Sequence, residues 1–251
     1  MPAAQHPIFK QPHDATATIW RYMDFTKFIS MLESSSLYFA RADKLSDPFE
    51  GTYSRGNALL RPIVYEEVYR DIAKESIEKL ETMKADMAKW TRKRKFINCW
   101  HMNDGESAAM WQLYAKSNEA IAIRSTYSRL ATVLDEQTYL GIVNYIDFEK
   151  DWVPEDNAFY PFVHKRKSFS HENEVRALCS IMPKKDETFD WSDEPIESGI
   201  KKVVDLDHLI EQVYVAPTAP TWFSSLVHQV CKTYKLQKPI FQSALDAEPF
   251  Y

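Results

Sequence analysis

Glycine is scarce in this chain, five residues in 251. None of the five forms GxGxxG or GxxxxGK(S/T), which excludes a Rossmann phosphate turn and a P-loop. HExxH and GxSxG are missing as well. Cysteine is equally sparse: Cys99, Cys179 and Cys231 are an odd set without a CxxC pair. That argues against a disulfide framework or a zinc knuckle, and for a reducing cytoplasm. No stretch approaches the roughly 18 apolar residues that a bilayer span needs, so no membrane partner is expected. The N-terminal Met-Pro-Ala-Ala-Gln-His-Pro lacks a charged region followed by an apolar one and does not read as a signal peptide. A net charge of −5 supplies no global field toward nucleic acid.

What is present is a chain long enough for one α+β domain over residues 1–251. Residues 1–15 are unpatterned and read as a loose arm. Strand-like runs fall at 16–22, 36–40, 96–101, 120–124, 138–145, 175–181, 201–206, 212–216 and 239–245. Helical spacing appears at 24–34, with Asp24 as N-cap, and at 106–116 and 221–234. Residues 41–51 form a turn-rich loop, 149–163 a connecting loop and 184–199 an acidic exposed one. Between 61 and 95 lies a long charged helical segment that reads as an insertion or lid. Short strands interleaved with unequal helices predict small twisted mixed sheets with packed helices.

His171-Glu-Asn-Glu-Val-Arg176 is the richest stretch. As a strand it sets Glu172, Glu174 and Arg176 on one face and Val175 and Ala177 on the other. Charges aligned this way either pair on a solvated face or serve a ligand.

Several separated motifs occur in one order: Trp20-Arg21-Tyr22, Leu37-Tyr38-Phe39-Ala40, Asp47-Pro48-Phe49-Glu50, Cys99-Trp100-His101, Ala109-Met110-Trp111-Gln112-Leu113-Tyr114 and Glu172-Asn173-Glu174-Val175-Arg176. This order resembles the bacterial and phage family known as domain of unknown function 2971. Ser46 stands where that family has Asn, Trp100-His101 where it has Phe-Ser, and Ser170-His171 where it has an aromatic. The pattern is also similar to an ADP-ribosyltransferase core. That resemblance implies an ADP-ribosyltransferase-like fold, an NAD-dependent transferase activity, and a role as an effector in toxin–antitoxin or anti-phage systems. It implies Arg21 as a ligand of the NAD phosphates or ribose, Tyr38 as a stacking ring, Glu174 as the catalytic carboxylate and Glu172 as the acceptor-side base. A positioned negative charge beside the cation developing at the sugar C1′ is the main electrostatic help such chemistry needs. Tyr22, Arg41, Asp47, Trp111 and Tyr114 join the candidate NAD-binding set, and Arg176 orients the carboxylates through a charge-assisted pair.

Each residue also has a plainer reading. Arg21 suits a surface arginine stacked on aromatics. Tyr38 and Phe39 point to opposite faces, so one belongs to the core. Asp47–Glu50 reads as a turn with a buried Phe49, although Arg41, Asp47 and Glu50 also suit a pocket border. Met110, Trp111 and Tyr114 share a helical face, which favours core packing, with a pocket wall as the alternative. His101 has no second histidine at metal-ligand spacing. Lys89, Trp90, Arg92, Lys93, Arg94 and Lys95 form a basic cluster that is either a solvated helix end or a contact for RNA or single-stranded DNA. Two rivals to the transferase remain open. One is a magnesium nuclease using Asp47, Glu50, Glu172 and Glu174, with Lys165 and Lys167 nearby. The other is a partner-binding module whose long helix docks an antitoxin or chaperone.

Overall fold

A computed structural model describes residues 3–247 and 249, apart from 69, 71–73, 116, 186 and 187. Residues 1–2 of the arm, four residues of the 61–95 segment, the last residue of the 106–116 helix and part of the acidic loop therefore lie outside the described residues. The chain is mixed α+β. Strand β1 (Thr18–Asp24), helix α1 (Phe25–Ser34) and strand β2 (Ser36–Arg41) come first. They are followed by α2 (Arg55–Val68), α3 (Lys74–Arg92), β3 (Lys95–Met102), α4 (Ala108–Tyr114), β4 (Ala120–Thr126) and α5 (Tyr127–Val133). Next come β5 (Thr138–Ile142), β6 (Asn144–Ile146), α6 (Tyr160–Val163), β7 (His164–Arg166) and β8 (Glu174–Ser180). The chain ends with β9 (Lys184–Lys185), β10 (Thr188–Phe189), β11 (Gly199–Val203), α7 (Leu206–Leu209), β12 (Gln212–Val215), α8 (Thr221–Thr233) and β13 (Ile240–Gln242).

Nine of these strands build one twisted mixed sheet, and β3 is its branch point. One edge of β3 pairs with β8 along its length, from Lys95↔Ser180 to His101↔Glu174, and β8 pairs onward with β5. The other edge is shared. β2 holds its beginning through Ala40↔Ile97 and Arg41↔Phe96, while β1 holds its end through Trp20↔His101 and Ile19↔Met102. The sheet thus forks: β2 continues to β11, and β1 continues through β4 and β12 to β13. Helix α1 joins the two prongs directly.

Alternation along the strands gives the sheet two different faces. Ile19, Met23, Phe39, Phe96, Trp100, Val175 and Ala177 point into the main core, which also takes in side chains of α1, α5, α7 and α8. The opposite face carries two smaller clusters, Trp20–Tyr22–Met110–Trp111 and Phe9–Ile97–Phe162–Leu178. Each large core side chain removed from water contributes roughly 1.5–3 kcal/mol, so the face with the larger cluster carries most of the stability.

Three expectations are corrected. The arm is packed: Ala4 bridges Tyr139, Phe9 stacks on Tyr139 at 5.2 Å, and Ile142 N–H donates to Lys10 O at 2.9 Å, so this segment covers the edge of β5. The 61–95 segment contains two helices, and it begins earlier, at Arg55, with Pro62 inside α2. Phe49 is exposed, with the Arg166 guanidinium 4.5 Å from its ring centre.

The early start of α2 has a local cause. Ser54 Oγ donates to Asp151 O, and Asn57 exchanges hydrogen bonds with Val153 N and O at 2.8 Å. These bonds press Gly56 onto the 150–151 backbone, where a Cβ would lie 2.6 Å from two carbonyl oxygens. Gly56→Ala is therefore expected to destabilise the protein by about 1–3 kcal/mol in urea unfolding. An exposed helical glycine would instead gain roughly 1 kcal/mol from the same change.

Candidate functional site

The fork leaves Cys99 opposite neither prong, and side chains take over the work of the missing ladder. Arg21 Nη1 donates to Cys99 O at 3.4 Å, and Asn98 Nδ2 donates to Tyr38 O at 2.8 Å. Trp100 Nε1 in turn donates to Asn98 Oδ1 at 2.7 Å, so both prongs are tied to β3 by polar side chains. Between the prongs lies a cleft of about 560 Å³. That is within the roughly 300–1,000 Å³ usual for small-molecule sites.

Arg21 and Tyr22 of β1 and Tyr38 of β2 line the cleft, with Ser30, Met31 and Ser34 of α1. Cys99, Trp100 and His101 of β3, Met110 and Tyr114 of α4, and Glu172, Glu174 and Lys201 complete it. Tyr38 can lie across β11 because residue 199 is glycine: a Cβ there would come within 2.5 Å of the Tyr38 ring and 2.4 Å of Phe39 O. Arg21 has no carboxylate partner among the described residues and sits 5.9 Å from the Trp100 ring centre.

The carboxylates belong to a buried network. Asn173 takes a left-handed conformation (φ 36°) that ends a 3-10 turn over 167–172, so Glu172 precedes β8 instead of lying on it. Glu174 and Arg176 do share one face of β8, opposite Val175 and Ala177, as the alternation predicts. Arg176 Nε and Nη2 donate to Glu174 at 2.7 and 3.0 Å, and Nη1 and Nη2 reach Glu50 at 2.5 and 3.1 Å. Its Nη1 also donates to Phe162 O at 2.6 Å. Lys165 Nζ bridges Glu172 and Glu174, the latter at 3.0 Å. Tyr114 Oη donates to Glu172 Oε1 at 3.2 Å, Tyr145 Oη accepts from Glu174 N–H at 2.9 Å, and the Cys99 thiol bonds the Glu174 carboxylate.

Charge balance follows from these contacts. Burial alone would raise the Glu174 pKa, but Arg176 and Lys165 outweigh it and hold the carboxyl at about 2. On Glu50 burial wins over Arg176 and the carboxyl is pushed up. Burial and then Glu174 push the Cys99 thiol up, so it stays protonated and serves as a donor. Burial pushes Tyr114 up as well, with Glu172 adding to the effect.

Other expected site residues are elsewhere. Arg41 is buried against Asp43 (2.6 Å) and Ile196 O (2.7 Å), away from the cleft. Asp47 accepts from Phe49 N–H and from Arg166 at 2.7 Å, closing its own turn. Trp111 is core, its Nε1 donating to Glu106 at 3.0 Å. Glu50 stands behind Arg176, not on the cleft wall.

The basic cluster is also dispersed. Lys89 and Lys93 are exposed, whereas Arg94 is buried against Asp193, and Lys95 is buried with Ser180 at 2.6 Å and the Phe159 ring at 4.0 Å. Burial without a counter-ion lowers the Lys95 pKa to about 8. Arg92 donates to Pro48 O at 3.1 Å, and Trp90 packs on Trp191 at 4.7 Å. The six residues therefore do not present a continuous basic surface, because strand β3 begins inside the run and draws its end into the core.

Sequence reasoning passed over Cys99 and Tyr145 as site residues and named Lys165 only beside the carboxylates of the nuclease reading. Of the three, Lys165 alone gave a signal, as a lysine seven residues before Glu172. Comparison with protein-family models, with curated proteins and with solved structures finds no match to this chain.

Arg176→Met is expected to cost about 3–5 kcal/mol at pH 7, because Glu50 and Glu174 lose a shared buried counter-ion. The folded Glu174 pKa lies below its unfolded value of 4.5, so the stability it brings is present above that pH and lost as pH falls toward 2. The gap between wild type and Arg176→Met in denaturant midpoint should narrow over that window.

Proposed function

We propose that this protein binds NAD in the forked cleft and cleaves the bond between nicotinamide and ribose, passing the ADP-ribosyl group to an acceptor. The observation that carries this reading is the pairing of unlike charges across one apolar cleft. Arg21, a guanidinium without a carboxylate partner, and Glu172 and Glu174, carboxylates held by cations, line the same walls as Tyr22, Tyr38, Trp100 and Tyr114. A dinucleotide offers matching chemistry: phosphates for Arg21 and Lys201, flat rings for the aromatics and ribose hydroxyls for the carboxylates.

Glu174 is suited to stabilise a cation developing at C1′. It is ionised at any ordinary pH, fixed by two cations, and out of bulk water, so no reorganisation is needed as charge appears. The forked sheet with an arginine of β1 in the fork supports reading the architecture as ADP-ribosyltransferase-like. The resemblance adds the setting of a toxin or anti-phage effector with a neutralising antitoxin or a chaperone. With the basic cluster dispersed, the case for an RNA or single-stranded DNA acceptor loses its electrostatic support.

The nuclease reading is weaker, because its carboxylates already have counter-ions. Asp47 pairs with Arg166, Glu50 and Glu174 with Arg176, and Glu172 with Lys165. A partner-binding module would need no such convergence of charge in a cleft.

Purified protein with NAD should release nicotinamide, and Glu174→Gln should lower kcat by about 10²–10³-fold, the usual effect of removing one preorganised electrostatic group. Arg21→Gln should weaken NAD binding at least about tenfold, the loss of one charge-assisted hydrogen bond. Calorimetry that detects no NAD binding by wild-type protein, together with no nicotinamide by chromatography, would rule the reading out.

A further inference from the structure

His101 faces Glu174 on one side and Trp20 on the other, at the point where β1 rejoins β3 and the cleft ends. Its ring is buried, 5% exposed, and forms part of the cleft lining. Nδ1 lies 2.6 Å from the backbone carbonyl oxygen of Glu172. A carbonyl only accepts, so Nδ1 carries the hydrogen, and in the neutral ring Nε2 is left as a lone pair. Burial lowers the His101 pKa below its ordinary value, against the opposing effect of Glu172, so the neutral ring is the resting form. Nε2 has no hydrogen-bond partner among the described residues. Leaving a buried acceptor unmet is unfavourable.

No hydroxyl of the described residues meets it. Tyr22, whose ring centre is 6.3 Å away, accepts from Ser107 N–H and makes no bond to Nε2, and Tyr114 donates to Glu172. Glu172 itself is committed, one carboxylate oxygen to Lys165 and the other to Tyr114. That pairing favours a separate group for the acceptor side, and His101 is a lining group whose basic lone pair is unused among the described residues.

We propose that His101 Nε2 takes up the proton of a hydroxyl acceptor as that oxygen attacks C1′ of the NAD ribose, an inference that rests on the glycosidic reading above. The new O–C1′ bond forms as the C1′–N bond breaks. The bonding pair passes to the nicotinamide ring, which leaves neutral, and the hydroxyl proton moves to the imidazole, leaving an imidazolium. Nε2 is itself buried within a residue that lines the cleft, so the hydroxyl reaches it only as the wall shifts. The groups facing this ring are Glu172 and His171 of the 3-10 turn and Tyr22 of β1; Glu172 favours the imidazolium and His171 opposes it.

The test is NAD turnover against pH for wild type, His101→Gln and His101→Asn, with NAD binding followed by calorimetry to show that the variants are folded. Wild-type kcat is expected to rise with pH through one step below 6.5 and then level off. Both variants are expected to bind NAD as wild type does, to lack the step, and to lose about 10²–10⁴ in kcat. In wild-type protein labelled with ¹⁵N-histidine, the Nε2 resonance should shift when NAD and a hydroxyl acceptor are both present. Variants that keep the wild-type kcat and the same step overturn the proposal while leaving the glycosidic reading standing. A wild-type protein that neither binds NAD nor releases nicotinamide overturns both.

Discussion

One side chain, Arg176, holds the two halves of this site's chemistry in place. It lies inside the sheet's smaller-cluster face, reaching Glu50 from the loop after β2, Glu174 on its own strand, and the Phe162 carbonyl from α6. Its charge is what makes two buried carboxylates tolerable, and burial of an uncompensated carboxylate costs several kcal/mol. The order of dependence runs outward from it. Arg176 and Lys165 keep Glu174 ionised, Lys165 and Tyr114 orient Glu172, and the Glu172 backbone carbonyl selects the tautomer of His101. A change at the guanidinium would therefore reach the cleft at once through Glu174, and His101 through four successive hydrogen-bonded contacts.

Local pattern was a reliable guide where the cause is local. The alternation that separates Glu174 and Arg176 from Val175 and Ala177 is a property of any extended chain, and the sheet keeps it. Phe39 is core and Tyr38 is half exposed for the same reason. Helix α5 was missed although it carries its own start signal, Thr126 Oγ accepting from Arg129 N–H. With Tyr127 and Leu130 as its buried residues, the seven-residue helix is too short for its period to stand out beside the strand before it.

The fork itself was not legible. It depends on which residues of β1 and β2 meet β3, and register between separated strands leaves no mark in composition or spacing. Lys95 shows the converse failure. Seven consecutive residues with five cations look like one surface, yet a strand boundary passes through them and sends the last into the core. Glu50 was assigned to a pocket border because its partner, Arg176, lies 126 residues away, a pairing that only the folded chain reveals.

Because α1 connects the prongs directly, the opening of the cleft is measured by a single ten-residue helix, about 15 Å long at 1.5 Å per residue. The width available to a guest is thus set by one contiguous segment of sequence and not by the docking of remote parts. Lengthening or shortening α1 by a turn would act as a gauge, changing which guests fit without touching a charged residue of the network beneath. Natural variation in the size of the molecule accepted could be achieved there by insertion alone, leaving the chemistry of the floor intact.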